Sequence, residues 1–321
     1  VATGTWDYEA QKASDGLYLT YNLKILNIDN NDRDTALALN VTDDSDNELS
    51  AQLTGSGYVK VKKQGQTEDT FKISGLNNTF DGTMDVQGGL TVDASAGALG
   101  DGQVNLILGD ATSASNLNLI AGTDAEMTTQ VLSGLKTSST GTTNINLDPR
   151  TTLDLALDAA ETWQSTTLKG SGDFKLSQGE LTVEKAQKLF SDFTGKVLVD
   201  GDLNLVADES SSNSTVDFGA GLSGKGTVAL KNIGTNVQTN FNGTYQLEDN
   251  STLIFDSSQD MSIAGNVRIE NTTNGFAELV FDTVGESASA KVPSIVLASN
   301  DSNPSFELGN SDITLNWNDV K

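Results

Sequence analysis

No cysteine occurs in the chain, so no disulfide framework, thiolate nucleophile or cysteine-ligated zinc site can be built. Histidine is absent too, which removes the commonest general base and the commonest transition-metal ligand. Basic residues are scarce. Lys plus Arg number 19 against 44 Asp plus Glu, a formal charge of −25, and such a surface argues against nucleic acid and anionic lipid as partners. No run approaches the roughly 20 apolar residues of a helical membrane span, and residues 1–10 lack a signal-peptide pattern. Because the 321 residues start without Met and stop abruptly at Lys321, the chain is expected to be a piece of something longer. Disordered acidic chains share the charge but lack alternating β-branched and aromatic residues; here such alternation runs throughout.

What is present is a message given three times. The stretch 168–206 reads LKGSGDFKLSQGELTV…FTGKVLVDGDLNLV; 53–92 reads LTGSGYVKVKKQ…FDGTMDVQGGLTV, and 222–255 reads LSGKGTVALKN…FNGTYQLEDNSTLIF. Each copy opens with an L-x-G-x-G turn that launches a short alternating strand, with Val59 and Val61, Phe174 and Leu176, and Val228 and Leu230 as its inward residues. Next comes F-x-G followed by alternating apolar residues: Met84 and Val86 after Phe80, Val197 and Val199 after Phe193, Tyr245 and Leu247 after Phe241. A closing strand carries Leu90 and Val92, Leu203 and Leu205, or Leu253 and Phe255. The interval between the turn leucine and the phenylalanine differs from copy to copy, Leu53 to Phe80, Leu168 to Phe193 and Leu222 to Phe241, so the variable inserts are expected on surface loops outside the core. One turn signature and one strand pattern per unit mark a stacked repeat.

The rest of the chain keeps the rhythm of short strands and polar turns. Leu17, Leu19, Tyr21, Leu23 and Ile25 form the longest unbroken alternation, a period-two strand signal. DNNDRD at 29–34 is a turn, Leu37, Leu39 and Val41 make a strand, and DDSDNE at 43–48 turns again. Val104, Leu106 and Leu108, then Leu117 and Leu119, then Ile145 and Leu147, then Leu153, Leu155 and Leu157 alternate in the same way. Two places suggest helix: residues 124–136, where Val131, Leu132 and Leu135 follow an acidic start, and VEKAQKLFSDF at 183–193, the clearest helix, expected to pack over an end or edge of the stack. Short strands continue from 261 to 317, with Pro293 and Pro304 at turns or strand starts.

Units of three short strands at about 19–25 residues per coil suggest a parallel β-helix whose coils stack at about 4.8 Å. Roughly fourteen coils would then give a rod of about 65 Å. A sandwich or propeller accounts less well for ordered repeats with elastic inserts. Asn, Asp, Ser and Thr at corners would bond the backbone locally, and turn glycines would supply positive φ.

The pairing of LTGSGYVKVKKQ with FDGTMDVQGGLTV resembles the passenger-associated repeat of classical autotransporters of Gram-negative bacteria, a G-x-G strand, a Y/F-x-G strand and a GGTL segment. It is most similar to the AIDA-like self-associating adhesins. The resemblance covers the three copies, with weaker echoes elsewhere in the chain, and the lack of cysteine accords with a chain that crosses the outer membrane unfolded. It implies an all-β fold, a parallel (right-handed) β-helix solenoid with short loop or helix inserts, spanning 1–321 as one unit. It also implies a C-terminal outer-membrane barrel beyond Lys321 and a place on the bacterial cell surface.

For chemistry, the residues offer little. Nucleophilic catalysis of the serine-protease kind needs a histidine base. Paired carboxylates could serve a glycosidase, and Asp29, Asp32 and Asp34, or Asp43, Asp44, Asp46 and Glu48, could hold Ca²⁺, but neither cluster has the Gly that sharpens such a loop; solvated turns account for both. Trp6, Tyr8, Trp163 and Trp317, if exposed, could stack on sugars, or could cap an end or fill a corner. The expectation is a non-enzymatic surface adhesin without cofactor or metal, binding its own copies or host and matrix surfaces. A polysaccharide-degrading β-helix enzyme and a passive stalk for an N-terminal domain are the alternatives. Lys60, Lys62 and Lys63 form the densest basic cluster. They are either a contact for an acidic partner face or a solvated strand edge that discourages pairing.

Overall fold

The computed structural model describes residues 1–299 except 44–45, 101, 123–125, 209–213, 219, 234–238, 244, 248–250, 258–260, 264–266, 272–277, 284–289 and 292–294. Among them the fold is nearly all strand, and every sheet is parallel apart from one N-terminal hairpin. Each coil lays its strands in register on those of the next. In the five-stranded sheet, Leu37 pairs with Val59, Val59 with Met84, Met84 with Leu106 and Leu106 with Leu135. An eight-stranded sheet runs from Thr128–Leu132 to Ile295–Ser299. This is a parallel β-solenoid of about nine turns, a rod of about 40 Å at one strand spacing per coil. The expected fourteen coils are an overcount. Residues 1–24 form a projecting hairpin, residues 300–321 lie outside the described chain, and some coils are longer than expected, as where Val267 pairs with Ile295.

The alternating residues turn inward as their period requires. Val59, Val61, Met84, Val86, Phe174, Leu176, Leu203 and Leu205 are all sealed, and a single apolar cluster runs without a break from Leu26 to Leu279. Each such side chain contributes on the order of 1.5–3 kcal/mol.

The two glycines of the repeated turn serve different ends. The first has positive φ, +92° at Gly55 and +89° at Gly170, where the chain leaves one face for the next. The second is needed for close approach, since a Cβ on Gly57 would lie 2.8 Å from the Ile28 carbonyl oxygen and one on Gly172 2.5 Å from that of Asp148. A Cβ on Gly82 would lie 2.0 Å from the carbonyl oxygen of Gly57, and one on Gly195 1.8 Å from that of Gly172. In each pair the F-x-G glycine therefore sits directly on the second turn glycine of the coil below, with Phe80 or Phe193 folding its ring over it.

Four expectations are corrected. The first two inserts are not wholly surface loops: beside exposed turns they complete the coil, carrying the strands Thr70–Ile73 and Glu180–Glu184 with Phe71, Ile73, Leu181 and Val183 buried, while most of the third lies outside the described residues. The third copy is displaced by one face. In the first two copies the G-x-G strand pairs with its own F-x-G strand (Val59 with Met84, Phe174 with Val197). In the third, the strand Thr227–Asn232 pairs with the closing strands of the second copy and of its own (Val228 with Leu203 and Leu253), because the interval from Leu222 to Phe241 is too short for a full coil. Residues 128–137 are strand, Thr128–Leu132 and Gly134–Thr137. A corner at Ser133, whose amide donates to the Val104 carbonyl at 3.0 Å, puts Leu132 and Leu135 inside at a spacing that imitates helix. The helix expected over 183–193 shrinks to the single turn Ala186–Leu189, entered through Lys185 at φ 57°. It fills a corner of the core rather than an end, Phe190 meeting Phe193 and Phe218 with ring centroids at 5.9 and 5.8 Å.

The hairpin consists of β1 (Ala2–Ala13) and β2 (Gly16–Ile28), antiparallel, with β2 joining the solenoid by pairing Ile25–Asn27 with Gln52–Thr54. The pairing skips Lys24, since Thr5 faces Ile25 but Trp6 faces Leu23. This bulge reverses the alternation. Leu26 and Ile28 enter the core in place of Ile25, so the side of β2 that bears Leu17, Leu19, Tyr21 and Leu23 continues the core lining outward from the first coil.

Candidate functional site

That outward continuation is covered by nothing among the described residues. Directly opposed pairs place Trp6 with Leu23, Tyr8 with Tyr21, Ala10 with Leu19 and Lys12 with Leu17 on one face of the ribbon. Trp6 meets Tyr21 edge-on at 5.7 Å and Tyr8 lies 6.5 Å from Tyr21. Relative exposure is 44% for Trp6, 66% for Tyr8, 75% for Leu17, 64% for Leu19 and 64% for Tyr21. The opposite face carries Asp7, Glu9 and Gln11 against Asn22, Thr20 and Tyr18, with Lys24 3.3 Å from Asp7. Contiguous exposed apolar residues of this kind are uncommon on a monomer's surface. The alternation from Leu17 marks the strand correctly; its exposure is not legible there, because a half-buried strand and an uncovered one share the same period.

Of the aromatics singled out in the sequence, Trp6 and Tyr8 belong to this face. Trp163 does not: it is wholly buried, its indole Nε1–H donating to the Leu135 carbonyl at 2.8 Å, and it fills a corner beside Phe174. Trp317 lies outside the described residues.

Lys60, Lys62 and Lys63 sit half-buried on the strand Tyr58–Lys63, in the outer face of the five-stranded sheet. Among the described residues no carboxylate lies within 4 Å of them; the ion pair of this face is made by Arg33, 3.4 Å from Asp85. Asp85 faces Lys60 in register, yet its side chain is sealed. One oxygen, Oδ2, accepts from the Tyr58 hydroxyl at 2.7 Å, the Gln87 amide at 2.8 Å and Arg33, while Oδ1 has no hydrogen-bond partner in the described structure. Burial, reinforced by Asp85, pushes the Tyr58 phenol up to about 12. Removing one partner from such a buried charge is costly, so this cluster binds the outer face to the turn at 29–34. The signal is present in FDGTMDV, where Asp85 occupies an outward slot between two inward residues.

Beside it a groove of about 320 Å³ crosses successive coils, lined by Asp81, Gln103, Asn105, Lys136, Asp158 and Glu161 among others. Burial raises the pKa of Glu161, with Lys136 opposing the shift. The acidic turns do different work. Asp43 accepts backbone N–H from Gln66, Thr67 and Glu68 at 2.9–3.0 Å, and these bonds hold its pKa well below the ordinary range. Asp32 accepts from the Asp34 amide and the Thr35 hydroxyl, and Asp29 from the Asn27 amide. Asp32 and Asp29 thus bond their own turn and Asp43 the turn one coil on, and among the described residues no three acidic side chains converge as a metal set.

No protein-family model, curated protein or solved structure matches the chain.

Proposed function

We infer that this chain is an adhesive rod, a passenger-type module displayed on the surface of a Gram-negative bacterium, which holds cells to one another or to host and matrix surfaces and catalyses no reaction. The observation that carries this reading is the uncovered face of Trp6, Tyr8, Leu17, Leu19 and Tyr21 on a chain of charge −25. Apolar area is where such a rod can gain contact free energy without opposing charge. The passenger-like repeats at 53–92 and 168–206 support the surface location and the secretion route through a membrane barrel.

The test is display of the chain on non-adherent cells, scored by settling rate and by retention on protein-coated and bare surfaces. Faster settling or stronger retention than cells displaying a Tyr8→Asp, Tyr21→Asp variant supports the reading; equal behaviour rejects it.

One observation favours a second reading, the polysaccharide-acting enzyme. Glu161, held protonated to higher pH by burial, shares a groove with Asp81 and Asp158, and glycoside hydrolysis uses a carboxyl of raised pKa beside a second acidic side chain. Release of reducing ends from a polysaccharide panel, lost in Glu161→Gln, would establish it.

A further inference from the structure

We propose that the hairpin face pairs with the same face of a second copy of this chain, two ribbons packing apolar side to apolar side about a two-fold axis. The area is sufficient. At ~200 Å² per aromatic side chain, the exposed parts of Trp6, Tyr8 and Tyr21 supply roughly 350 Å², and Leu17 and Leu19 bring each copy's share to roughly 600 Å². Two copies can bury at most about 1,200 Å² through these side chains, which reaches the lower bound of specific, stable interfaces. The face also has a centre through which a two-fold axis can pass, the Tyr8–Tyr21 pair flanked by Trp6 and Leu19, and an isologous contact uses the same patch on both copies.

Charge selects this place on the rod. Through Ile28 the hairpin carries Asp7, Glu9 and Asp15 against Lys12 and Lys24, so it is almost neutral while the rest of the chain holds nearly all of the −25. Asp7 and Glu9 lie on the far face, and the paired face bears only Lys12, at its tip beside Leu17. Two like-charged rods therefore meet with least repulsion hairpin to hairpin. The open edge of β1 is a poorer contact, since the ribbon there bears Asp7, Glu9 and Lys12, the charged side chains that discourage strand addition. Continuity with the core gives the reason such a face exists: it is core lining carried past the first coil by the Lys24 bulge, and a second copy would cover it as the opposing sheet covers Leu26 and Ile28.

The proposal deepens the adhesive reading by naming its partner, but the two fail separately. Adhesion by a strictly monomeric rod would overturn the pairing alone, and a dimer that leaves cells dispersed would overturn adhesion alone.

Sedimentation of the purified chain from about 1 to 100 µM is the direct test. Mass should rise with concentration from 33.7 kDa toward twice that value, and Leu19→Asp or Tyr21→Asp should return it to monomer across the range with the far-ultraviolet circular dichroism unchanged. Gln11→Lys, on the far face, should leave the dimer intact. Added salt should strengthen association, because it screens the repulsion between acidic rods. A monomer at every concentration overturns the proposal, as does a dimer indifferent to both hairpin substitutions or one lost instead on reversing Lys60, Lys62 and Lys63 to Glu. Monomer that co-sediments with phosphatidylcholine vesicles would assign the face to a lipid surface and overturn it equally.

Discussion

The ribbon at 17–23 and the strand at 58–63 obey the same rule and meet opposite fates. Both alternate apolar with polar residues; Val59 and Val61 are sealed, whereas Leu17, Leu19 and Tyr21 stand 64–75% exposed. The difference lies in what faces them. A coil strand looks across a closed cross-section at other strands of its own turn, while the hairpin leaves that cross-section before it can close. Alternation thus encodes a strand with one apolar side, and topology decides whether that side becomes core or contact surface. Where the two regions join, the bulge at Lys24 changes the phase so that Leu26 and Ile28 face in.

The sharpest way to break the comparison is to attack what closes the coil. In Gly195→Val a Cβ would lie 1.8 Å from the Gly172 carbonyl oxygen, and neither backbone can move without disturbing the parallel pairing of Phe174 with Val197. A loss above ~4 kcal/mol is expected, the exceptional class reserved for such steric failures. Because coils contact only their neighbours, hydrogen exchange should show the damage near 170–200 while the coils at 37–108 keep their protection. Uniform loss across the rod would show that the coils do not act as independent units.

Much of this architecture is readable in the residues. The period of two sets the inward positions, and the order L-x-G-x-G then F-x-G sets a stack. The glycine columns are half visible: positive φ at Gly55 and Gly170 follows from the turn, but contact between Gly57 and Gly82 requires knowing that the chain from one to the other makes a single coil. The third copy shows where motif spelling fails, since the same words LSGKG and FNG fall one face away when the interval between them shortens to that from Leu222 to Phe241. The helix signal over 124–136 is false from residue 128 onward, because a corner at Ser133 spaces buried leucines as a helix would. Of the exposed hairpin face, Trp6, Tyr8 and the alternation from Leu17 all stand out in the sequence, but nothing in a sequence reports that an apolar side is left uncovered.

A smaller effect should separate corner from ribbon by acidity. Asp110 accepts the Thr112 hydroxyl, its strongest support, and the backbone amides of Thr112, Gly88 and Ser113, which lower its pKa from 3.8 to about 2. A folded pKa below the unfolded one means stabilisation that is present above about pH 4 and is lost as the pH falls toward about 2. The difference in melting temperature between the native chain and Asp110→Asn should therefore be constant at neutral pH and shrink through that window. A difference that does not change with pH would mean that the carboxylate's bonds to Gly88 and Thr112 do not hold this corner.

The smallest effect belongs to the hairpin itself, and its smallness is the point. Leu19→Asp changes a residue that is 64% exposed, whereas Val61→Asp would place a carboxylate in a sealed column between Leu39 and Val86. At concentrations too low for association, Leu19→Asp should shift unfolding by no more than ~0.5 kcal/mol, as surface substitutions do. At high concentration the native chain alone should gain stability by mass action, so the gap between it and Leu19→Asp should widen as protein is added. A gap already large in dilute solution would mean that the ribbon folds back on its own rod, and its face would then be core after all.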